Sequence, residues 1–101
     1  MPQDITPLTD FRAHDGSREF ASLPQSELWY AVRDHVEKLE GATLTGFLCD
    51  GVLEAWIDFS FLSHEFSIND QFGEYCFFVK DPSCPDTILQ YVVKHFSKIL
   101  I

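Results

Sequence analysis

The sequence has no apolar stretch long enough to cross a membrane, because runs such as Tyr75–Val79 fall far short of the roughly 20 residues that a spanning helix needs. A secretory signal is also missing, since Met1–Asp4 carries neither a cationic stretch nor an apolar core. The cysteines Cys49, Cys76 and Cys84 form no close pair, which fits a reducing compartment better than a disulfide-rich fold. We therefore expect a cytoplasmic protein that neither enters nor crosses a membrane.

Basic residues are scarce: 7 Lys and Arg stand against 16 Asp and Glu, for a net charge of −9. Residues 41–86 are the least balanced part, with 8 acidic residues and 1 basic residue. Such a chain repels the phosphates of nucleic acids and of anionic lipids, whereas an acidic surface attracts basic proteins. A plainer interpretation is that the charge keeps an aromatic-rich domain soluble. We expect a protein partner or a second copy of the chain, and neither nucleic acid nor membrane.

Motifs for catalysis and cofactor binding are absent as well. The sequence has no glycine-rich phosphate loop, no Gly-x-Ser-x-Gly and no Cys-x-x-Cys. No two histidines have the spacing of metal ligands; the histidines are His14, His35, His64 and His95. The sequence therefore predicts no catalytic residue, no cofactor and no metal, and it favours a protein-interaction or regulatory domain over an enzyme.

A chain of 101 residues with 15% aromatic residues is predicted to form one globular domain. Residues 1–22 are polar and interrupted by proline and glycine, which predicts a loosely ordered N-terminal segment ahead of a single α+β domain at 23–101. Leu23–Glu40 has the pattern of a helix, with Pro24 in the first turn and Gly41 as the stop. Its apolar residues recur at helical spacing on one face; they are Leu28, Trp29, Val32, Val36 and Leu39.

A second helix is predicted after Pro85, which falls near the first helical position. Ser83 and Asp86 have the spacing of a capping box. A wide apolar stripe follows, made of Ile88, Leu89, Val92, Val93, Phe96, Ile99 and Leu100. The pattern leaves the remaining side chains for solvent, namely Tyr91, Lys94, His95 and Lys98.

Between the helices the pattern is that of strands, and Asp50-Gly51 is a strong signal for a two-residue hairpin turn. Pairing outward from that turn sets Thr45 opposite Trp56 and assigns every residue to a face. One face is then apolar or small: Leu44, Gly46, Leu48, Leu53, Ala55 and Ile57. The other face is mixed: Thr43, Thr45, Phe47, Cys49, Val52, Glu54, Trp56 and Asp58.

The apolar positions change parity after Phe61. We predict one long strand bent near Phe61 and Leu62, with a turn at residues 60–63 as the alternative. Another strand alternates from Tyr75 to Val79. The predicted fold is a two-layer α+β domain, in which an antiparallel meander of three to four strands packs against two helices in the order α-β-β-β(-β)-α.

The mixed face is the candidate interaction site, because aromatic side chains are costly to leave in water and acids surround them here. Its residues are Phe47, Glu54, Trp56 and Asp58, with Phe78 joining from the last strand. Glu54 and Asp58 lie roughly 13 Å apart along the strand, too far for a coupled acid–base pair. We expect the N-terminal segment, a second chain or another protein to cover this face.

The competing hypothesis is a small enzyme or ligand-binding domain with a pocket near the strand bend. The residues that it would use are His64, Glu65, Tyr75 and Cys84. A thiol just ahead of a helix is a candidate reactive group, because the helix dipole lowers its pKa. The neighbours of Cys84 oppose this effect, since Asp81 and Asp86 disfavour a thiolate and Pro85 lacks an N–H.

Overall fold

The computed structural model describes residues 8–49, 55–71 and 73–101, which form six strands and two helices. The strands are β1 (Phe11–Arg12), β2 (Arg18–Pro24), β3 (Ala42–Cys49), β4 (Ala55–Phe61), β5 (His64–Gln71) and β6 (Glu74–Val79). The helices are α1 (Trp29–Val36) and α2 (Asp86–Leu100). Within the described residues, neither helix has the length and hydrophobicity that a membrane span requires.

The six strands form one antiparallel sheet in the order β1-β2-β6-β5-β4-β3. Strands β3 to β6 follow one another as a meander. Because β2 pairs with β6 while β3 lies at the far edge, the chain crosses the whole sheet between β2 and β3, and α1 is part of that crossing. Both helices contribute to the same core on one sheet face, so the molecule has two layers.

The core between the helices and the sheet is rich in phenylalanine. Phe20, Phe59, Phe77 and Phe96 are fully buried, and the rings of Phe59 and Phe66 stack with centroids 5.2 Å apart. Aromatic pairs of this kind contribute about 0.5–1.5 kcal/mol beyond the area they bury. This cluster joins β2, β4, β5, β6 and α2 in a single core.

The sheet is larger than predicted, with six strands instead of three to four, although the class is still α+β. The additional strands are β1 and β2, and β2 lies inside the sheet between β1 and β6. Most of β2 falls within residues 1–22, for which the sequence predicted loose order. Pairing with β6 and the burial of Phe20 and Leu23 hold β2 in the sheet.

The first helix is shorter than the predicted Leu23–Glu40 and begins later. Leu23 and Pro24 pair with β6 and therefore belong to β2. The helix starts at Trp29 after Leu28 as N-cap residue, with no side-chain hydrogen bond at the cap. Helix propensity differs by less than about 1 kcal/mol among ordinary residues, so the strand pairing and burial of Leu23 outweigh it.

The predicted register between β3 and β4 is wrong. Phe47 pairs with Ile57 instead of Glu54, a shift of three residues. An odd shift exchanges the two faces of a strand, so Phe47 lies on the helix face and Leu48 lies on the other face, where it is 68% exposed. A bulge at Thr45 then changes the register in the first half of β3.

Strands β4 and β5 are joined by a tight turn, so the single bent strand that we preferred is wrong. Phe61 pairs with His64 across the turn. Leu62 and Ser63 form its centre, with φ of 51° and 68°. The alternative, a turn in this segment, is confirmed. The other predicted hairpin turn, at residues 50–51, lies outside the described residues.

Helix α2 is confirmed, but the predicted capping box does not form. Its N-cap residue is Pro85, with no side-chain hydrogen bond at the cap. Ser83 Oγ instead donates to a carboxylate oxygen of Asp81 at 2.6 Å. Asp86 extends toward β2, where its carboxylate lies 3.3 Å from the guanidinium of Arg18.

His95 lies in the contact between the two helices and not in solvent. Its ring stacks on that of His35 in α1, with centroids 3.8 Å apart and an interplanar angle of 12°. His95 Nε2 donates to the backbone oxygen of His35 at 2.6 Å, and His35 Nε2 donates to that of His95 at 2.8 Å. Both Nε2 atoms therefore carry a proton, because a carbonyl oxygen can only accept.

Candidate functional site

The open face, which is the sheet face away from the helices, carries a row of residues that crosses five strands. In register from β3 to β2, the row consists of Gly46, Asp58, Ser67, Phe78 and Glu19. Directly opposed residues of paired strands point to the same face. Glycine and serine are small, so the row leaves space on both sides of Asp58.

A groove of about 740 Å³ lies along this row, and we call it the open-face groove. Three residues of the predicted interaction site line it, namely Trp56, Asp58 and Phe78. The connection between β1 and β2 contributes a further wall through Asp15 and its neighbours. The groove therefore joins the middle of the sheet to the segment just ahead of β2.

Trp56 and Phe78 supply the aromatic surface of the open-face groove. Both are half-buried, and their ring centroids lie 6.4 Å apart at an angle of 34°. They come from β4 and β6 and approach each other across β5, where Asn69 is the strand partner of Trp56. Asn69 is 0% exposed, and its Nδ2 donates to the backbone oxygen of Ala55 at 3.1 Å. A buried hydrogen bond thus fixes β4 against β5 beside the aromatic pair.

Asp58 is a carboxylate of the groove lining that lies two residues from Trp56 on the same face of β4. Its Oδ1 accepts a hydrogen bond from Ser67 Oγ at 2.7 Å. A Cβ atom at Gly46 would lie 3.2 Å from Asp58 Oδ2, so the glycine leaves that oxygen uncrowded. No lysine, arginine or histidine among the described residues forms an ion pair with Asp58. The carboxylate is therefore oriented but has no cationic partner in this part of the chain.

The other charges of the groove lie toward its rim. Asp15 Oδ1 accepts hydrogen bonds from the Oγ and backbone N–H of Ser17, at 2.7 and 3.0 Å. The side-chain hydrogen bond is the main cause that lowers the pKa of Asp15 from 3.8. Glu65 and Lys80 form an exposed ion pair at 3.5 Å. With three carboxylates and one lysine, the lining of the groove is acidic.

Two residues of the predicted site are not in the groove as described. Phe47 lies on the helix face, where its ring stacks on Trp29 with centroids 4.8 Å apart. Glu54 lies outside the described residues. The pairing partners Gly46 and Ser67 were missed, and only the correct strand registers would have brought them to Asp58.

The residues of the competing hypothesis do not form a common pocket. His64 begins β5, whereas Tyr75 pairs with Asp70 near the other end of that strand. Six residues of strand span roughly 20 Å, so these two side chains are far apart. The Tyr75 hydroxyl donates to the backbone oxygen of Glu27 at 2.6 Å, and burial raises its pKa to about 12.

Cys84 is a buried thiol with 3% of its surface exposed. Burial, followed by the nearby charge of Asp81, raises its pKa to about 11. At neutral pH the side chain is thus a protonated thiol, which is a poor nucleophile. The effect of the helix N-terminus, which lowers the pKa of a preceding cysteine, is therefore outweighed here by burial and by a neighbouring carboxylate.

Within residues 8–49, 55–71 and 73–101, no group of three His, Cys, Asp or Glu side chains is placed to hold a metal ion. No family model, curated protein or solved structure matches the chain.

Proposed function

We propose that this chain is a small protein-interaction domain whose open-face groove binds a basic segment of a partner protein. The observation that carries the proposal is the half-buried pair of Trp56 and Phe78 beside Asp58, a carboxylate without a cationic partner among the described residues. Aromatic side chains at the centre of an interface exclude water and so strengthen the polar contacts next to them.

The charge of the molecule favours a basic partner over a second copy of the chain. Two copies would each bring a net charge of −9 to the contact, and the lining of the groove is itself acidic. Opposite charge raises the rate of association, and like charges facing each other across an interface cost several kcal/mol. A basic segment gains from both the aromatic surface and the carboxylates.

The proposal is tested by titrating the isotope-labelled chain with a short peptide of alternating arginine and glycine. We expect amide NMR signals of β4 and β6 around Trp56 and Phe78 to shift, and binding to weaken as salt is raised. Trp56→Glu should abolish these shifts. Tyr91→Glu is the matched control, since it makes the same change of charge at an aromatic side chain of α2 that is 64% exposed.

Three results would contradict the proposal. One is that the control variant Tyr91→Glu loses peptide binding as completely as Trp56→Glu does. Another is an intact chain that is a dimer by light scattering and becomes a monomer with Trp56→Glu, because the occupant would then be a second copy. The third is peptide binding that begins only after residues 1–7 are deleted, which would assign the groove to the N-terminal segment. Asp58→Asn, a gentler change, provides the binding test if circular dichroism finds Trp56→Glu unfolded.

A further inference from the structure

We propose, building on the proposed function, that the recognised group is an arginine side chain, whose guanidinium lies against the rings of Trp56 and Phe78 and pairs with Asp58. The proposal specifies which chemistry of a basic segment the groove selects. The molecule has two such pairs of tryptophan and phenylalanine, and among the described residues a guanidinium lies over one of them.

The first pair, Trp29 and Phe47, lies between α1 and β3 and already holds an arginine. The guanidinium carbon of Arg33 lies 5.6 Å from the ring centroid of Trp29 and 5.4 Å from that of Phe47. The guanidinium is also paired with the carboxylate of Asp34 at 3.2 Å. A tryptophan, a phenylalanine, a carboxylate and a guanidinium thus form one contact set within the fold.

The open face repeats this set except for the cation. Trp56 and Phe78 are the aromatic pair, and Asp58 is the carboxylate two residues along β4 on the same face. No arginine or lysine lies over either ring among the described residues. Lys80, the lysine in the lining, is paired with Glu65 instead.

The chemistry of the groove favours a guanidinium over an ammonium. A guanidinium is planar and weakly hydrated, so it can lie flat against an aromatic ring while its N–H groups donate in its own plane. Ser67 occupies one position on Asp58 Oδ1, and Oδ2 stays uncrowded beside Gly46. That oxygen can therefore accept a charge-assisted hydrogen bond from the incoming side chain.

The experiment compares three peptides of the same length, in which the residues alternating with glycine are arginine, lysine or citrulline. Citrulline has nearly the shape of arginine but no charge. We expect the arginine peptide to bind about tenfold more tightly than the citrulline peptide, which corresponds to 1.4 kcal/mol. We expect the lysine peptide to bind between the two. The indole N–H signal of Trp56 reports the contact directly.

Asp58→Asn should remove most of the preference for arginine over citrulline and leave residual aromatic contact. Asp34→Asn is the matched control, because it removes the carboxylate of the complete set and should not change peptide binding. Equal affinity for the arginine and citrulline peptides at the groove would overturn the arginine assignment and leave the proposed function standing. Failure of all three peptides to shift signals of the groove would overturn both.

Discussion

At the scale of single residues, Leu62 and Ser63 are the residues other than glycine that have a positive φ in the described part of the chain. Both lie at the centre of the β4–β5 turn with φ of 51° and 68°, a region that costs a residue with a side chain roughly 1–2 kcal/mol. Asparagine and glycine are the residues that such turns prefer. The absence of both explains why the parity change after Phe61 indicated an irregularity without identifying a hairpin.

We predict that replacing the turn by Leu62→Asn with Ser63→Gly raises the free energy of unfolding by about 1 kcal/mol. Leu62 is 53% exposed, so replacing its side chain removes few packing contacts. The measurement is urea denaturation of the variant and the parent chain at neutral pH. Asp81→Asn with Ser83→Gly serves as a control, since that pair changes a turn without strained φ, and it should not stabilise. A turn variant no more stable than the parent would contradict the strain argument.

At the scale of elements, β2 shows why part of the sheet was missed. A register shift between Glu19 and Ala21 places Phe20 and Ala21 both in the core, which destroys the alternation expected of a strand. An arginine is expected in solvent, but Arg18 is only 9% exposed. Its Nε donates to the backbone oxygen of Thr9 at 2.9 Å. Such bulges and buried polar contacts depend on tertiary partners that one local sequence does not contain.

Helix α2 was predictable for the opposite reason. Its apolar stripe is long, and the proline that precedes it marks the start without help from distant residues. The start of the first helix could not be predicted in this way, because Leu23 fits the apolar pattern of a helix as well as that of a strand. Its pairing with β6 places it in a strand. Local signals therefore identified the element that local interactions define.

We expect the histidine contact between α1 and α2 to make the stability of the molecule depend on pH. Burial is the main cause that lowers the pKa of His95 from 6.5, and the charges of His35, Lys98 and Lys38 act in the same direction. The hydrogen bond to the backbone oxygen of His35 opposes them. In the unfolded chain the ring therefore binds a proton at a higher pH than in the folded chain.

We predict that the free energy of unfolding is highest above about pH 6.5 and decreases as the pH falls below it, because the unfolded state then binds more protons. Urea denaturation at a series of pH values between about 7.5 and 5.5 measures the slope. His95→Gln should flatten the slope, since glutamine retains an N–H donor but does not titrate. His14→Gln, at an exposed histidine, should leave the slope unchanged.

The aspartates with lowered pKa do not interfere with that test. Asp10, Asp15 and Asp81 titrate below 3.8, outside the pH range used. A slope that persists undiminished in the His95→Gln variant would show that another group binds the proton, and His95 would not be the origin of the pH dependence.

At the scale of the whole molecule, the candidate site depends on three strands at once. Trp56 and Asp58 share a face because they are two residues apart on one strand, which sequence alone predicts. Phe78 joins them only because β5 separates β4 from β6 and the β4–β5 turn sets the register. Phe47 was assigned to the wrong face because the register of β3 and β4 was predicted from a turn at Asp50-Gly51. The actual register differs by three residues, and an odd difference exchanges the two faces. The sequence thus predicts which residues of one strand share a face, but it does not fix which residues of two strands share a face when the register across the turn is unknown.

The two edges of the sheet differ in how they resist pairing with another molecule. β1 consists of two residues, and Arg12 in it forms an ion pair with Asp10 at 2.8 Å. β3 runs over Ala42–Cys49 without a charged residue or proline, the features that usually protect an exposed edge. The bulge at Thr45 is the only edge-protecting feature among the described residues of β3. We therefore expect the net charge of −9 to be the main obstacle to association through this edge.

We predict that the chain is monomeric at low salt and associates through β3 when salt screens its charge, since the screening length falls to about 3 Å at molar ionic strength. Thr43→Lys places a positive charge on the exposed β3 edge and should suppress association at high salt. Thr87→Lys makes the same change of net charge at an exposed residue in the first turn of α2, and α2 packs against β2, toward the opposite side of the sheet from β3. Light scattering on a sizing column compares the three chains. If the β3 edge is the contact, only Thr43→Lys keeps the molar mass of a monomer; equal behaviour of the two variants would attribute association to net charge alone.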